Sequence, residues 1–279
     1  MEPDRGSVQT FDGRTLNTYT WGGGDVVVVF EAGLGAGGRC WSPVAEQVSG
    51  HVKAVAYDRA GYGTSTADAG CRTLDALAVD LVRVVEAQGA PDVVLVGHSW
   101  GGPIARRAAE LLPAGVVSSL VLVDPSDEHA DVYFTRSARA MDWVQALVLP
   151  AVARAGLLRA GLSNAFGRFL APKALKATLD ACSTPAAARV CVEENRHIRD
   201  ALQQLREAPQ PRPVSTVVIS GTKPTRIGGS RRELCSAHRR SVAANSGWRL
   251  VEASESTHYV LFTQPQLVAD QVLRACSTR

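Results

Sequence analysis

No two of the six cysteines stand in a Cys-x-x-Cys pair, so no zinc-site spacing is present. No hydrophobic run is long enough to cross a membrane. The longest charge-free apolar stretch in the middle of the chain, "WVQALVLPAVA" from Trp143 to Ala153, contains Pro150 and falls well short of the roughly 18 residues a span requires. Large excess charge is missing too. A formal net charge of +3 is too small to suggest a nucleic-acid binder. There is no internal repeat and no low-complexity tract. The opening segment "MEPDRGSVQT" has neither the basic nor the apolar region of a secretory signal, which sets an expectation of a cytoplasmic protein with reduced thiols. Cys182 and Cys191 are close enough in sequence to pair if the native N-terminus has been trimmed. The most informative absence is acidic: between Glu207 and Glu233 there is no Asp or Glu.

What is present is an ordinary globular composition, 46% hydrophobic and 20% charged, in a chain long enough for one large α/β domain or two small ones. Short apolar runs alternate with helical patterns. Val26–Phe30 is a continuous β-branched run, the pattern of a strand buried on both faces. Val52–Tyr57, Val93–Val96, Leu120–Val123, Val217–Ile219 and Trp248–Val251 are further strand candidates. Between them, Leu74, Leu77, Ala78, Leu81 and Val85 share one helical face, with Thr73 placed to cap the start and Gly89 and Pro91 to end it. Such alternation implies right-handed crossovers and a mostly parallel sheet. The alternation stops between about Ser126 and Ala208, a segment rich in Ala, Leu and Arg that ends in the Pro-rich "APQPRP". Because the strand series resumes afterwards, this segment reads as helices inserted over a site on the sheet.

"VVLVGHSWGG" carries the chemistry. A buried strand runs directly into Gly97-His98-Ser99-Trp100-Gly101, and a helix-compatible run follows. In that context Gly-x-Ser-x-Gly forms a sharp turn that exposes the Ser hydroxyl at the sheet edge, close to a helix N-terminus that favours developing negative charge. The alternative is a Gly-rich turn with a passive Ser.

With "VVVVFEAGLGAGG", "VAYDRAGYGTS" and "ESTHYVLFTQP" in order around it, the chain resembles the α/β-hydrolase fold family over nearly its whole length. The resemblance implies a mostly parallel, eight-stranded sheet flanked by helices, with a helical cap inserted after strand six. The divisions are then a core over 1–126, a cap over 127–208 and the rest of the core over 209–279. It also implies Ser, acid and His in that chain order. His258 follows a late strand and precedes a closing helix, so it is the expected base for Ser99. His51 and His238 are expected to be exposed, and His129 and His197 to fall in or near the cap. The oxyanion hole is expected from the backbone amides of Trp100 and Leu34, with Gly33 and Gly35 bringing the loop close to substrate.

The family acid commonly follows strand seven, where this chain reads "GTKPTRIGG" without a carboxylate. Some relatives, including pancreatic-type lipases, use an Asp-Pro just after strand six, and Asp124-Pro125 has that form. Asp124 is therefore the expected third member, with Asp127 second and Glu255 third. The cluster Asp127, Glu128, His129 and Asp131 reads as a solvated cap entrance rather than a metal site. Trp143 and Leu147, on an apolar stripe with Val144, Val148, Leu149, Val152, Leu157 and Leu158, are expected to face the sheet and wall an apolar pocket. The basic run Arg212, Lys223, Arg226, Arg231, Arg232, Arg239 and Arg240 reads as a solvated face or as a docking patch for an acidic partner, such as an acyl-carrier protein or a phosphate. Neither a cofactor nor a metal is expected. The expected activity is serine hydrolysis of an ester, thioester or lactone. Acyl transfer and cofactor-free haloperoxidase chemistry use the same residues. A binding protein that lost catalysis is the reading from a different class.

Overall fold

Five successive buried residues, Val-Val-Val-Phe-Glu, build strand β3 (Val27–Glu31) at the centre of the sheet. A strand covered on both faces needs no polar alternation. In the computed structural model, which describes residues 1–208, 214–224 and 229–277, β3 pairs in parallel with β4 (Lys53–Tyr57) and β5 (Val93–His98). Beyond β5 follow β6 (Val117–Val123), β7 (Ser215–Gly221) and β8 (Trp248–Ala253), all parallel. At the other edge β1 (Asp4–Gln9) and β2 (Thr15–Trp21) form an antiparallel hairpin, and β2 runs antiparallel to β4. The eight-stranded order is β1-β2-β4-β3-β5-β6-β7-β8. Six of these strands coincide with apolar runs in the sequence. The hairpin escaped that reading because β1 buries only Val8 and β2 is interleaved with Thr and Asn.

Helices cover both faces, and the core divides accordingly. On one face α1 (Ser42–Val48) packs with α10 (Pro265–Ser277), which follows the one-turn α9 (Val260–Thr263), over Val28, Phe30, Val94, Val96 and Val121. On the other, α2 (Leu74–Glu86) and α3 (Gly101–Leu111) pack over Val27, Val29, Leu95 and Leu120. The Thr73 hydroxyl accepts from the Ala76 amide at 3.3 Å, capping α2 where the sequence places the cap.

Between β6 and β7 lie α4 (Arg136–Arg154), α5 (Leu157–Phe166), α6 (Pro172–Cys182) and α7 (Pro185–Glu207). The expected Pro-rich linker falls, apart from Ala208, outside the described residues, as do Arg212 and Arg226. Helix α7 is tied down by a buried ionic cluster. Glu194 accepts from Arg59 (2.8 and 3.1 Å) and Arg72 (2.6 Å), and Arg59 also pairs with Glu31 at 2.7 Å. The apolar stripe of α4 corrects an expectation. Trp143 and Leu147 are 67% and 58% exposed, and Met141, Val144 and Val148 are exposed as well. The stripe faces away from the sheet, because α4 turns its other side toward α7: Asp142 accepts from Asn195 and Arg199 there. Among the described residues no single helix is long and apolar enough to cross a membrane. Cys182 and Cys191 are free, buried thiols, so the pairing considered for them is not formed.

Candidate active site

Only two described non-glycine residues have positive φ, Ser99 (+54°) and Asp124 (+45°). Each costs on the order of 1–3 kcal/mol of backbone strain, which persists only where the surroundings enforce it. At Ser99 the enforcement is crowding. Strand β5 turns into α3 so sharply that a Cβ at Gly97 would sit 2.3 Å from the Gly101 carbonyl oxygen, and one at Gly101 would sit 2.5 Å from that of Glu31. At Asp124 the enforcement is the sheet end: its amide donates to Ile219 O at 2.7 Å, while the Ser126 amide two residues on donates to Ser99 O at 2.9 Å. Both residues thus stand at the C-terminal edge of adjacent parallel strands, where open α/β sheets place their ligands.

His258 arrives from the loop after β8. The exit of β7 braces that loop: the Thr222 amide donates to Ala253 O (3.1 Å) and the Lys223 amide to Ser256 O (2.9 Å). A Cβ at Gly221 would lie 1.7 Å from Thr257 O. Gly221, Thr222 and Lys223, which open the segment that lacks a carboxylate, therefore serve as backbone support for the histidine loop. From the other side His98 Nε2 donates to His258 O at 3.0 Å, and the two rings lie with centroids 4.8 Å apart, tilted by 40°. Burial, reinforced by the neighbouring His258, pushes the His98 ring down to about 3.

Asp124 is fully buried, and its Oδ2 accepts from His258 Nδ1 at 2.7 Å. Its Oδ1 accepts from the Gly221 amide at 2.9 Å. Arg231, in the first turn of α8 (Gly229–Ala244), donates to both oxygens at 2.6 Å. Burial opposes the carboxylate charge, but the hydrogen bonds from His258 and Arg231 overcome it and hold the carboxyl down at about 2. With Nδ1 committed to Asp124, Nε2 is the nitrogen left for Ser99. Ser99 and His258 line the same cavities, and no hydrogen bond joins them. Such contacts are commonly long in unliganded enzymes and tighten on binding.

The loop after β3 is pinned by Arg59, whose guanidinium donates to Ala32 O (2.7 Å) and Gly33 O (2.9 Å). Gly33 lies against the elbow, since a Cβ there would sit 3.2 Å from Ser99 Cβ. Neither the Leu34 amide nor the Trp100 amide donates to another group among the described residues. Leu34 lines both cavities at the site together with Ser99, and Trp100 is the residue that follows Ser99.

Two cavities meet at Leu34, Ser99 and His258. The larger, of about 540 Å³, is walled by Trp100, Tyr133, Met141, Ile198 and Leu234, with Arg199 and Arg231 as its cations. The smaller, of about 130 Å³, is lined by Leu162, Phe166, Leu261, Phe262 and Cys40, with His98 and Thr178. Trp143 and Leu147 belong to neither.

Three further expectations are corrected. Asp127 is buried, accepting from Ser241 Oγ (2.7 Å) and the His129 amide (2.8 Å). Glu128 is buried against Arg106 through two bonds of 2.7 and 2.8 Å. His238 is fully buried and bridges Ser220 Oγ (2.8 Å) and Pro125 O (2.9 Å). The spacing Leu234, Ala237, His238, Ser241 marks the inner face of α8 and would have flagged His238. Within the basic run, Arg239 pairs with Glu252, Arg240 with Glu233, and Arg231 with Asp124.

A strained Ser between a parallel strand and a helix, with a His–Asp pair at the same sheet edge, defines an α/β-hydrolase fold with a Ser–His–Asp arrangement. A family model described as "Alpha/beta hydrolase family" matches residues 27–271, and the chain belongs to that family. Curated relatives match over shorter stretches. "Putative carbamate hydrolase RutD" of Azorhizobium caulinodans is 33% identical over 104 residues, 37% of this chain and 39% of that protein. Lipase LipV of Mycobacterium tuberculosis is 37% identical over 89 residues, covering 32% and 33%. The matches thus span well under half the length of these relatives. Among solved structures, an esterase from Exiguobacterium antarcticum superposes with a TM-score of 0.74 at 19% identity, over 98% of this chain and 99% of that one. The epoxide hydrolase CorEH superposes at 0.76 and 18%, over 99% of both. At those identities the likeness is one of fold.

The buried His98 leads to a stability prediction. Its folded-state value lies below the ordinary 6.5, so between about 3 and 6.5 the unfolded chain holds a proton there that the folded chain does not. Stability from this site therefore rises with pH across that window. Thermal or urea melts at pH 7 and pH 4 should show wild type losing on the order of 3 kcal/mol more than His98→Gln on acidification. Equal losses would show that His98 does not carry the dependence.

Proposed function

We propose that this protein is a serine hydrolase acting on an ester, thioester or lactone through an acyl-enzyme. The observation that carries the reading is the 2.7 Å contact of His258 with the buried Asp124 beside the strained Ser99. Ser99 Oγ attacks the carbonyl carbon while His258 Nε2 takes its proton. The carbonyl oxygen becomes an oxyanion between the Leu34 and Trp100 amides, and Asp124 stabilises the imidazolium. On collapse the proton passes to the departing alcohol or thiol, leaving Ser99 acylated. A water then attacks, His258 takes its proton, and the carboxylic acid leaves. The residues present suffice for each proton and charge in this cycle.

The same contact weighs against a binding protein that lost its acid, since a carboxylate does reach His258. A Ser at the elbow also separates this chain from Asp-nucleophile chemistry. Support for an apolar substrate group comes from Leu162, Phe166, Leu261 and Phe262 in the smaller cavity, in place of Trp143 and Leu147. The larger cavity suits a second, more polar portion. A fluorophosphonate tests the nucleophile: labelling should be stoichiometric and map to Ser99. An ester panel should then show faster turnover of apolar acyl groups than of charged ones. An inert Ser99 would return the binding reading, and a preference for short charged acids would remove the apolar subsite.

A further inference from the structure

An ionised carboxylate offers about four acceptor positions. At Asp124 all four are filled: His258 Nδ1 and Arg231 Nη1 share Oδ2, while the Gly221 amide and Arg231 Nη2 share Oδ1. Half of the carboxylate's hydrogen bonds therefore go to a permanent cation. A fork of this kind is the strongest geometry available to an Arg–carboxylate pair. The pair is also shielded, since Asp124 is fully buried and the Arg231 side chain is 12% exposed. Arg231 lines the larger cavity beside Ser99 and His258, so its charge sits at the reaction site.

The consequence follows from charge. An Asp that faces only its His lends a full negative charge to the imidazolium. Here Arg231 already neutralises that charge, and it adds a like charge close to the imidazolium. Two things follow: the carboxylate keeps its orientation firmly, and its electrostatic pull on a protonated His258 is reduced. The other groups packed around the pair are His98 from β5, His238 and Cys235 from α8, Tyr133 ahead of α4, and Tyr259 next to His258. Burial keeps the His98 ring neutral. His238 has both ring nitrogens occupied, by Ser220 Oγ and Pro125 O. Arg199, the other cation lining the larger cavity, is paired with Asp142, so Arg231 is the permanent cation bonded to Asp124.

We propose that Arg231 is a positioning residue that holds Asp124 as one half of an ion pair, so that the charge at position 231 sets how strongly Asp124 pulls on a protonated His258. The proposal rests on the reading of Ser99, His258 and Asp124 as the working triad. It assigns the β7 exit and the start of α8 a joint role. The Gly221 amide holds Oδ1, and Arg231 reaches both oxygens, sharing Oδ2 with His258.

The test is the pH profile of kcat/KM for three enzymes: wild type, Arg231→Met and Arg231→Lys. Removing the charge in Arg231→Met should move the acid limb upward by about one pH unit, the scale for a charge at such range. Arg231→Lys keeps the charge but loses the fork. It should keep its limb within a few tenths of a unit of wild type while kcat falls. A residue that merely docks α8 would lower the melting temperature and plateau rate in both variants and leave both limbs in place. An unmoved limb in a folded Arg231→Met overturns the proposal. So does a limb displaced in Arg231→Lys as far as the charge-free variant should be, which also covers the case in which Arg231→Met fails to fold. Fluorophosphonate labelling separates the two failures. If wild type does not label at Ser99, the triad reading falls. If it labels normally and the limbs do not respond to charge at position 231, only the role of Arg231 falls.

Discussion

Replacing Ser99 by Ala is expected to lower kcat by about 10⁶ and leave the fold intact, the scale seen when a triad nucleophile is removed. The size of the loss follows from the site. Without Oγ there is no atom for His258 to activate, and the oxyanion amides act on a bound substrate with nothing to attack it. The retention of the fold follows from what Ser99 does locally. Its φ of +54° is imposed by the contact of Gly97 and Gly101 with neighbouring carbonyls. Ala bears the same Cβ and meets the same strain. The backbone bonds through Ser99, its amide to Val123 O (3.1 Å) and its carbonyl from the Ser126 amide (2.9 Å), are untouched. Circular dichroism and the melting temperature should therefore match wild type while initial rates collapse. Retention of more than a tenth of the activity in a folded variant would remove Ser99 from the mechanism.

Ser99 and His258 were legible because their signals are local. A buried β-branched strand, two glycines at fixed spacing and a helix start lie within about a dozen residues, and the His follows its strand closely. Asp124 was legible only by elimination. The β7 exit holds no carboxylate, and Asp-Pro ends the neighbouring strand. Arg231 was not legible. Its bond to Asp124 joins residues 107 apart in the chain, and nothing in "GGSRREL" separates an Arg that turns inward from one that faces water. His238 and Asp127 were misread for the same reason. Each sits among charged neighbours in sequence, but a helix buries His238 out of one such run and a strand end buries both Asp127 and Glu128 out of another. In α8 the inward face takes Leu234, His238 and Ser241 and leaves Arg239 and Arg240 outside.

The apolar stripe on α4 is a different failure. Periodicity says that a helix has two faces. It does not say which one meets the sheet when four inserted helices can also pack on one another. Here Asp142 on the polar side is held by Asn195 and Arg199 of α7, and that pairing turns Trp143 and Leu147 outward. The apolar wall next to Ser99 comes instead from Phe166, at the end of α5, and from Leu261 and Phe262, just after His258.

Asp124→Asn is expected to lower kcat by about 10⁴, a scale borrowed from the same exchange in a Ser-His-Asp enzyme. The carboxamide can turn its NH₂ toward His258 Nδ1. That would favour the tautomer with its proton on Nε2, the wrong one for taking the Ser99 proton, and it removes the negative charge that faces the imidazolium. The backbone should tolerate the change, because Asn accepts the left-handed conformation that Asp124 adopts at φ +45°. Stability will fall somewhat, since Arg231 keeps one good acceptor where it had two and stays largely buried. Asp127→Asn is the matched control. Its carboxylate serves Ser241 and the His129 amide, not His258. It should therefore cost about 1–2 kcal/mol of stability but less than tenfold in kcat. Rates and melts measured together separate the two positions. If Asp127→Asn lost activity as severely as Asp124→Asn while both stayed folded, the assignment of Asp124 as the partner of His258 in catalysis would fail. The nucleophilic role of Ser99 would remain to be judged on its own variant.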